Sequence, residues 1–142
     1  TASNSLPVSA TLTASNSLTV SGTITASNNT VTATVGGADL DVGLNVVTSS
    51  DDTYVVRLPD PSGNVGAIIQ MVSSSSHKYE VQVIGNTSNI MKINGENCTN
   101  ALGAATNEVE IAKNSFVICI CNSSTEWNLF ANGIRVTPDS VL

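Results

Sequence analysis

Charge is scarce in this chain, and no charged residue precedes Asp39. Asp, Glu, Lys and Arg together make up 11% of the sequence, too little for a disordered acidic tail. The five basic residues, Arg57, Lys78, Lys92, Lys113 and Arg135, are scattered through a chain of net charge −6. Proteins that neutralise nucleic-acid phosphates cluster such residues, so no nucleic-acid partner is expected. No apolar run reaches the ~18 residues of a membrane span, so no membrane insertion is expected. No charged stretch followed by an apolar one marks a secretory signal. Histidine occurs once, at His77, which leaves little for a Ser-His-Asp arrangement or a metal centre. No Gly-rich phosphate loop is present. The nearest carboxylate pairs are Asp51-Asp52, read as a turn, and Glu108/Glu110, read as one face of a strand. Neither looks like a converging acid and base. No enzymatic activity, cofactor or metal is expected.

Cysteine is nearly absent too, and the three present form an odd set: Cys98, Cys119 and Cys121. Cys119 and Cys121 lie two apart on one strand, hence on one face and badly placed to bridge each other. Buried free thiols are the favoured reading, with a disulfide through Cys98 as the alternative.

Ser, Thr and Asn fill the sequence instead, 51 of 142 residues. The hexamer TASNSL begins at Thr1 and again at Thr13, and a decayed copy, TASNNT, begins at Thr25. Apolar residues fall on even positions through Leu6, Val8, Leu12, Leu18, Val20 and Ile24. That alternation is a half-buried strand, and an even repeat of twelve keeps each copy's face inward. Parity shifts after Asn28-Asn29, where Val31, Ala33 and Val35 are odd, so a bulge or turn is expected there. Gly36-Gly37 breaks the run. Even parity then returns with Leu40, Val42, Leu44 and Val46.

So few large side chains cannot offset the entropy of ordering residues 1–36 as an isolated arm. A flat neutral strand left alone is also an aggregation hazard. Packing against identical arms removes both difficulties. The expected trimer seam is Leu6, Val8, Leu12, Leu18, Val20 and Ile24.

The second zone, from Asp51, carries short β-branched segments bounded by Gly, Pro, Asn or Ser. These are residues 53–58, 65–72, 78–84, 89–93, 107–112, 115–121, 126–131 and 133–137. The expected fold is all-β: a repetitive β arm over 1–50, then an antiparallel β-sandwich head, jelly-roll-like, over 51–142. Residues 115–121 are apolar on both faces, which puts that strand in the centre of a sheet. Residues 100–106 leave room for one helical turn.

The order Leu58-Pro59, Gly66 opening an apolar strand, Ile93-Asn94-Gly95, a valine-rich strand and then Trp127 resembles a module of viral tail-fibre and head-fibre proteins. The upstream LTVSGTITASN and LDVGLNVV are similar to the repetitive β-shafts of trimeric phage fibres. The chain departs from that module at Cys119 and Cys121, where aliphatic or small residues would stand. The resemblance implies a homotrimeric structural protein on a virion surface, beside other virion proteins. Three roles fit it: a fibre or spike whose head attaches to a host glycan or protein, a capsid decoration protein, and a bacterial trimeric adhesin tip at the cell surface.

Polar loops are the usual place for recognition on a rigid sandwich. The candidates are Ser76, His77, Lys78 and Tyr79 in one loop, Asn97 and Asn100 in a second, and Ser124 and Glu126 in a third. Sequons stand at Asn28, Asn86, Asn97 and Asn122, of consequence only where a host glycosylates.

Overall fold

The computed structural model describes residues 21–23, 28–84, 90–98 and 108–132. Within them the fold is all-β, with eleven strands in two sheets and one short 3-10 turn, Pro61–Gly63. The strands are β1 (Asn28–Thr32), β2 (Ala38–Asp39), β3 (Gly43–Thr48), β4 (Val55–Leu58), β5 (Ile68–Ser73) and β6 (Tyr79–Val83). They continue with β7 (Ile90–Ile93), β8 (Glu96–Asn97), β9 (Glu108–Ile111), β10 (Phe116–Ser123) and β11 (Glu126–Ala131).

The chain winds. Through β6 each successive strand crosses to the other sheet. Every second strand therefore lies beside its predecessor and runs the same way. In the larger sheet, order β1-β3-β5-β10-β11-β7-β8, the pairs β1/β3 and β3/β5 are parallel. In the smaller sheet, order β2-β4-β6-β9, so are β2/β4 and β4/β6. Only β9, β10 and the hairpin partners reverse direction, as in β6/β9, β5/β10, β10/β11 and β7/β8. The sandwich is thus mixed, not antiparallel as the spacing of strands implied. Spacing locates strands but does not reveal that alternate ones share a sheet.

Local chemistry fixes the bends. Gly37, at φ 81°, turns the chain between β1 and β2, and a Cβ there would come within 2.6 Å of the Arg57 side chain. Asn94 and Gly95 both take positive φ, 49° and 89°, and close the β7/β8 hairpin. At the β2–β3 corner the buried Asn45 amide donates to the Asp41 and Gly43 carbonyls at 2.8 and 3.2 Å. Its Oδ1 accepts from the Asp41 amide at 3.2 Å. This explains a polar residue on an inward face.

One core lies between the sheets. The larger sheet contributes Ile69, Met71, Val117, Cys119, Trp127 and Leu129, and the smaller Val56, Leu58, Tyr79, Val81, Val109 and Ile111, all fully buried. β10, the strand apolar on both faces, sits fourth of seven in its sheet. Trp127 is sealed in the core, and its Nε1 donates to the Pro59 carbonyl at 2.9 Å. The Leu-Pro step and the late Trp are therefore one contact. All three cysteines are buried free thiols. Burial pushes the Cys98 thiol up to about 12 and raises Cys119 and Cys121 as well.

Three expectations about the early strands need correction. Asn28 and Asn29 open β1 in regular register with Leu44 and Asn45, with no bulge or turn. Val31 and Ala33 point into the core as the odd parity requires, but Val35 is 81% exposed in the turn. In β3 the inward residues are Asn45 and Val47, while Leu44 and Val46 face outward. Two adjacent valines leave the register ambiguous in sequence; the Asn45 corner decides it. Residues 28–50 also pack as part of the sandwich. β1 and β3 lie in the larger sheet, and Val31, Ala33, Leu40 and Val47 belong to the core. The seam residues Leu6, Val8, Leu12, Leu18, Val20 and Ile24 lie outside the described residues, as do Asn86, residues 100–106 and residues 133–137.

Candidate functional site

The polar stretch Ser73–Lys78 connects β5 to β6, so it crosses from one sheet to the other. Ser75 anchors it. The Ser75 hydroxyl donates to the Ser49 carbonyl at 2.7 Å and accepts from the Ser49 and His77 amides, both at 3.0 Å. That clamp ties the β5–β6 connection to the β3–β4 connection and brings His77 beside Asp52, with Nδ1 and Oδ1 3.1 Å apart. Next to them Asp51 organises its turn by accepting from the Thr53 amide at 2.9 Å and the Thr53 hydroxyl at 2.7 Å. These bonds favour its ionised form and hold its carboxyl below the usual range.

Lys78 stands just before β6 and forms an ion pair with Glu110 of β9. Both are half-buried. Together Asp52, Ser76, His77, Lys78, Glu110, Ala112 and Lys113 line an open cavity of about 420 Å³. Its two carboxylates are each held by a neighbour, His77 or Lys78, and no aromatic residue is among its described lining residues. The lining thus combines donors and acceptors in two ion pairs, which suits a hydroxyl-rich or mixed-charge ligand.

Three of the four residues expected in this loop, Ser76, His77 and Lys78, do meet here. Tyr79 does not. It is the first residue of β6 and points into the core, fully buried. Its hydroxyl has no hydrogen-bond partner among the described residues, and burial raises its pKa. Period-2 alternation through Tyr79, Val81 and Val83 was the signal for this, and the adjacent polar run obscured it. Asp52, Glu110 and Lys113 were not expected at the site. Asp52 and Glu110 lie 25 and 32 residues from their partners, and only the winding brings them together.

The other candidates sit on the larger sheet. Glu126 is in an ion pair with Lys92 at 2.8 Å and accepts from the Asn122 and Asn128 amides at 3.0 and 2.9 Å. Lys92 first, then Asn128, holds its carboxyl below the usual range. Asn97 is exposed on β8 opposite Lys92, and Ser124 is exposed in the β10–β11 turn. Asn100 lies outside the described residues. The candidates therefore fall on different elements: the His77 cavity beside the smaller sheet, and a polar cluster on β7, β8 and β11. No protein-family model and no curated protein matches the chain.

Proposed function

We propose that this chain is a structural protein of a virion surface. It is a homotrimeric fibre or spike in which the repeat-bearing N-terminal segment is the shaft and the sandwich is the head that attaches to a host surface. The observation that carries this reading is the winding. β1 and β2 are the edge strands of the two sheets, both are paired in parallel to the next strand, and β1 begins inside the third copy of the repeat. A chain entering there continues the same two-sheet path, so a shaft made of short repeats can run into the head without a hinge.

Among the described residues these edges have no further strand beside them; a free edge needs covering, and in this reading identical neighbouring chains supply the cover. The His77 cavity then serves attachment. It binds a hydroxyl-rich surface group through Ser76, His77, Lys78 and Lys113, with Asp52 and Glu110 as acceptors. The reading is tested by native mass spectrometry and electron microscopy of the full chain. The expected particle has the mass of three chains and is a rod ending in a knob. A monomer at micromolar concentration, or a compact particle with no rod, refutes it.

A further inference from the structure

The two outer faces of the sandwich differ in kind. On the smaller sheet Val55, Arg57, Glu80, Gln82, Glu108 and Glu110 face away from the core, Val55, Glu80 and Glu108 being buried even so, and Asp39 is bonded to Arg57 at 2.7 Å. The larger sheet turns outward residues of the kind expected inside. One row across it reads Val46, Val72, Phe116, and the next reads Leu44, Gln70, Ile118, Phe130. A third pairs Ile68 with Ile120. Gln70 is the only polar side chain among these nine. Thr30 and Asn28 border the patch on β1, and Asn128 and Lys92 border it toward β7. Ile68, Val72, Phe116 and Phe130 are 48%, 37%, 39% and 50% exposed.

We infer that this face is an interface between copies of the chain, so that the head carries its own assembly surface in addition to any made by the repeats. The inference rests on the proposed reading of the protein as an assembly of identical chains, and locates a contact within it. Three features select a second copy as the occupant. The first is size. Side chains of this type and exposure offer roughly 500 Å² of apolar surface, and the Thr and Asn rim brings the face near the ~800 Å² per partner of a stable interface.

The second is charge. The chain carries a net −6, so two copies repel unless they meet where neither has charge, and this face is such a place. The third is continuity. β1 forms one edge of this sheet and follows a segment that has no charged residue before Asp39. The lack of charge therefore continues through the repeat sequence, which the same proposed assembly would bring together.

Sedimentation velocity of the full chain tests the inference, beside Phe116→Glu/Phe130→Glu on the face and Gln82→Lys on the opposite sheet. The expected result is that the wild type and Gln82→Lys associate alike, and that the double variant dissociates at least tenfold more readily with an unchanged circular dichroism spectrum. Phe130→Ser alone, at a half-exposed site, repeats the test if the double variant does not fold; a severalfold weakening is expected. An associated wild type with equally associated face variants overturns the inference and leaves the fibre reading standing. A monomeric wild type overturns both. A chain lacking residues 1–20 that associates only after that truncation shows that its own arm covers the face, which also overturns the inference.

Discussion

Val46 and Val47 are neighbours on β3 with opposite fates, and replacing each by Ala gives a direct measure of the register. Val47 is fully buried between the sheets. Removing two methyl groups there forfeits about 1.6 kcal/mol of transfer free energy, and the cavity left behind raises the cost to about 2–3 kcal/mol. Val46 is half-exposed beside Val72. Within one chain its truncation costs about 0.5 kcal/mol or less, because much of the side chain already meets water. The assay is urea unfolding followed by Trp127 fluorescence at several protein concentrations. Val47→Ala should lower the midpoint by the same amount at every concentration, since its cost lies inside one chain. If the face is shared between copies as proposed, Val46→Ala should be nearly silent when dilute and more harmful when concentrated. Equal losses for the two variants at all concentrations would show that β3 is not held in the register that the Asn45 corner sets.

The three thiols are buried, with Cys98 pushed up to about 12 and Cys119 raised by complete desolvation. An alkylating reagent at pH 8 should therefore leave the native protein unlabelled for hours and add three groups in denaturant, read by mass spectrometry; rapid native labelling of Cys119 contradicts its place in the core. Truncation should be tolerated up to β1 and not beyond. A chain lacking residues 1–20 keeps Val31, Ala33, Leu40 and Val47 in the core, whereas one lacking 1–36 loses Val31, Ala33 and the β1 ladder, and should lose about 3 kcal/mol or more by urea titration. Equal stability of the two truncations would mean that β1 is dispensable to the sandwich.

Strand positions were legible because alternation is a local property. Residues 53–58, 65–72, 78–84, 89–93, 107–112, 115–121 and 126–131 each overlap one strand, and Gly36-Gly37 and Asn94-Gly95 mark turns through backbone geometry. Strand partnership was not legible. Whether β5 lies beside β4 or β3 depends on which sheet each joins, and nothing within either segment records that. The same limit hid the cavity. Ser76, His77 and Lys78 stand together in sequence, but Asp52 and Glu110 reach them only because the β3–β4 and β5–β6 connections are clamped at Ser75 and β9 pairs with β6. Tyr79 failed for a different reason. An aromatic residue after a run of serines reads as part of a loop, yet it opens a strand whose alternation fixes its direction inward.

The scarcity of charge gains meaning once the two faces are separated. Charged side chains are not thinly spread but segregated. The ion pairs Arg57–Asp39, His77–Asp52 and Lys78–Glu110 all involve the smaller sheet or the loops beside it, and Lys92–Glu126 marks the margin of the larger. The centre of the larger sheet is left with none. For a monomer that distribution is costly, because a neutral sheet face with Phe116, Phe130 and Ile68 exposed invites uncontrolled association. In the proposed assembly it is an instruction: the ion-paired loops and margins are left to water and ligand, and the neutral side to another copy. A single charge placed at Ile118, the middle of the neutral face, should therefore damage assembly more than the same charge at Thr30 on its rim, although Thr30 is the more exposed of the two.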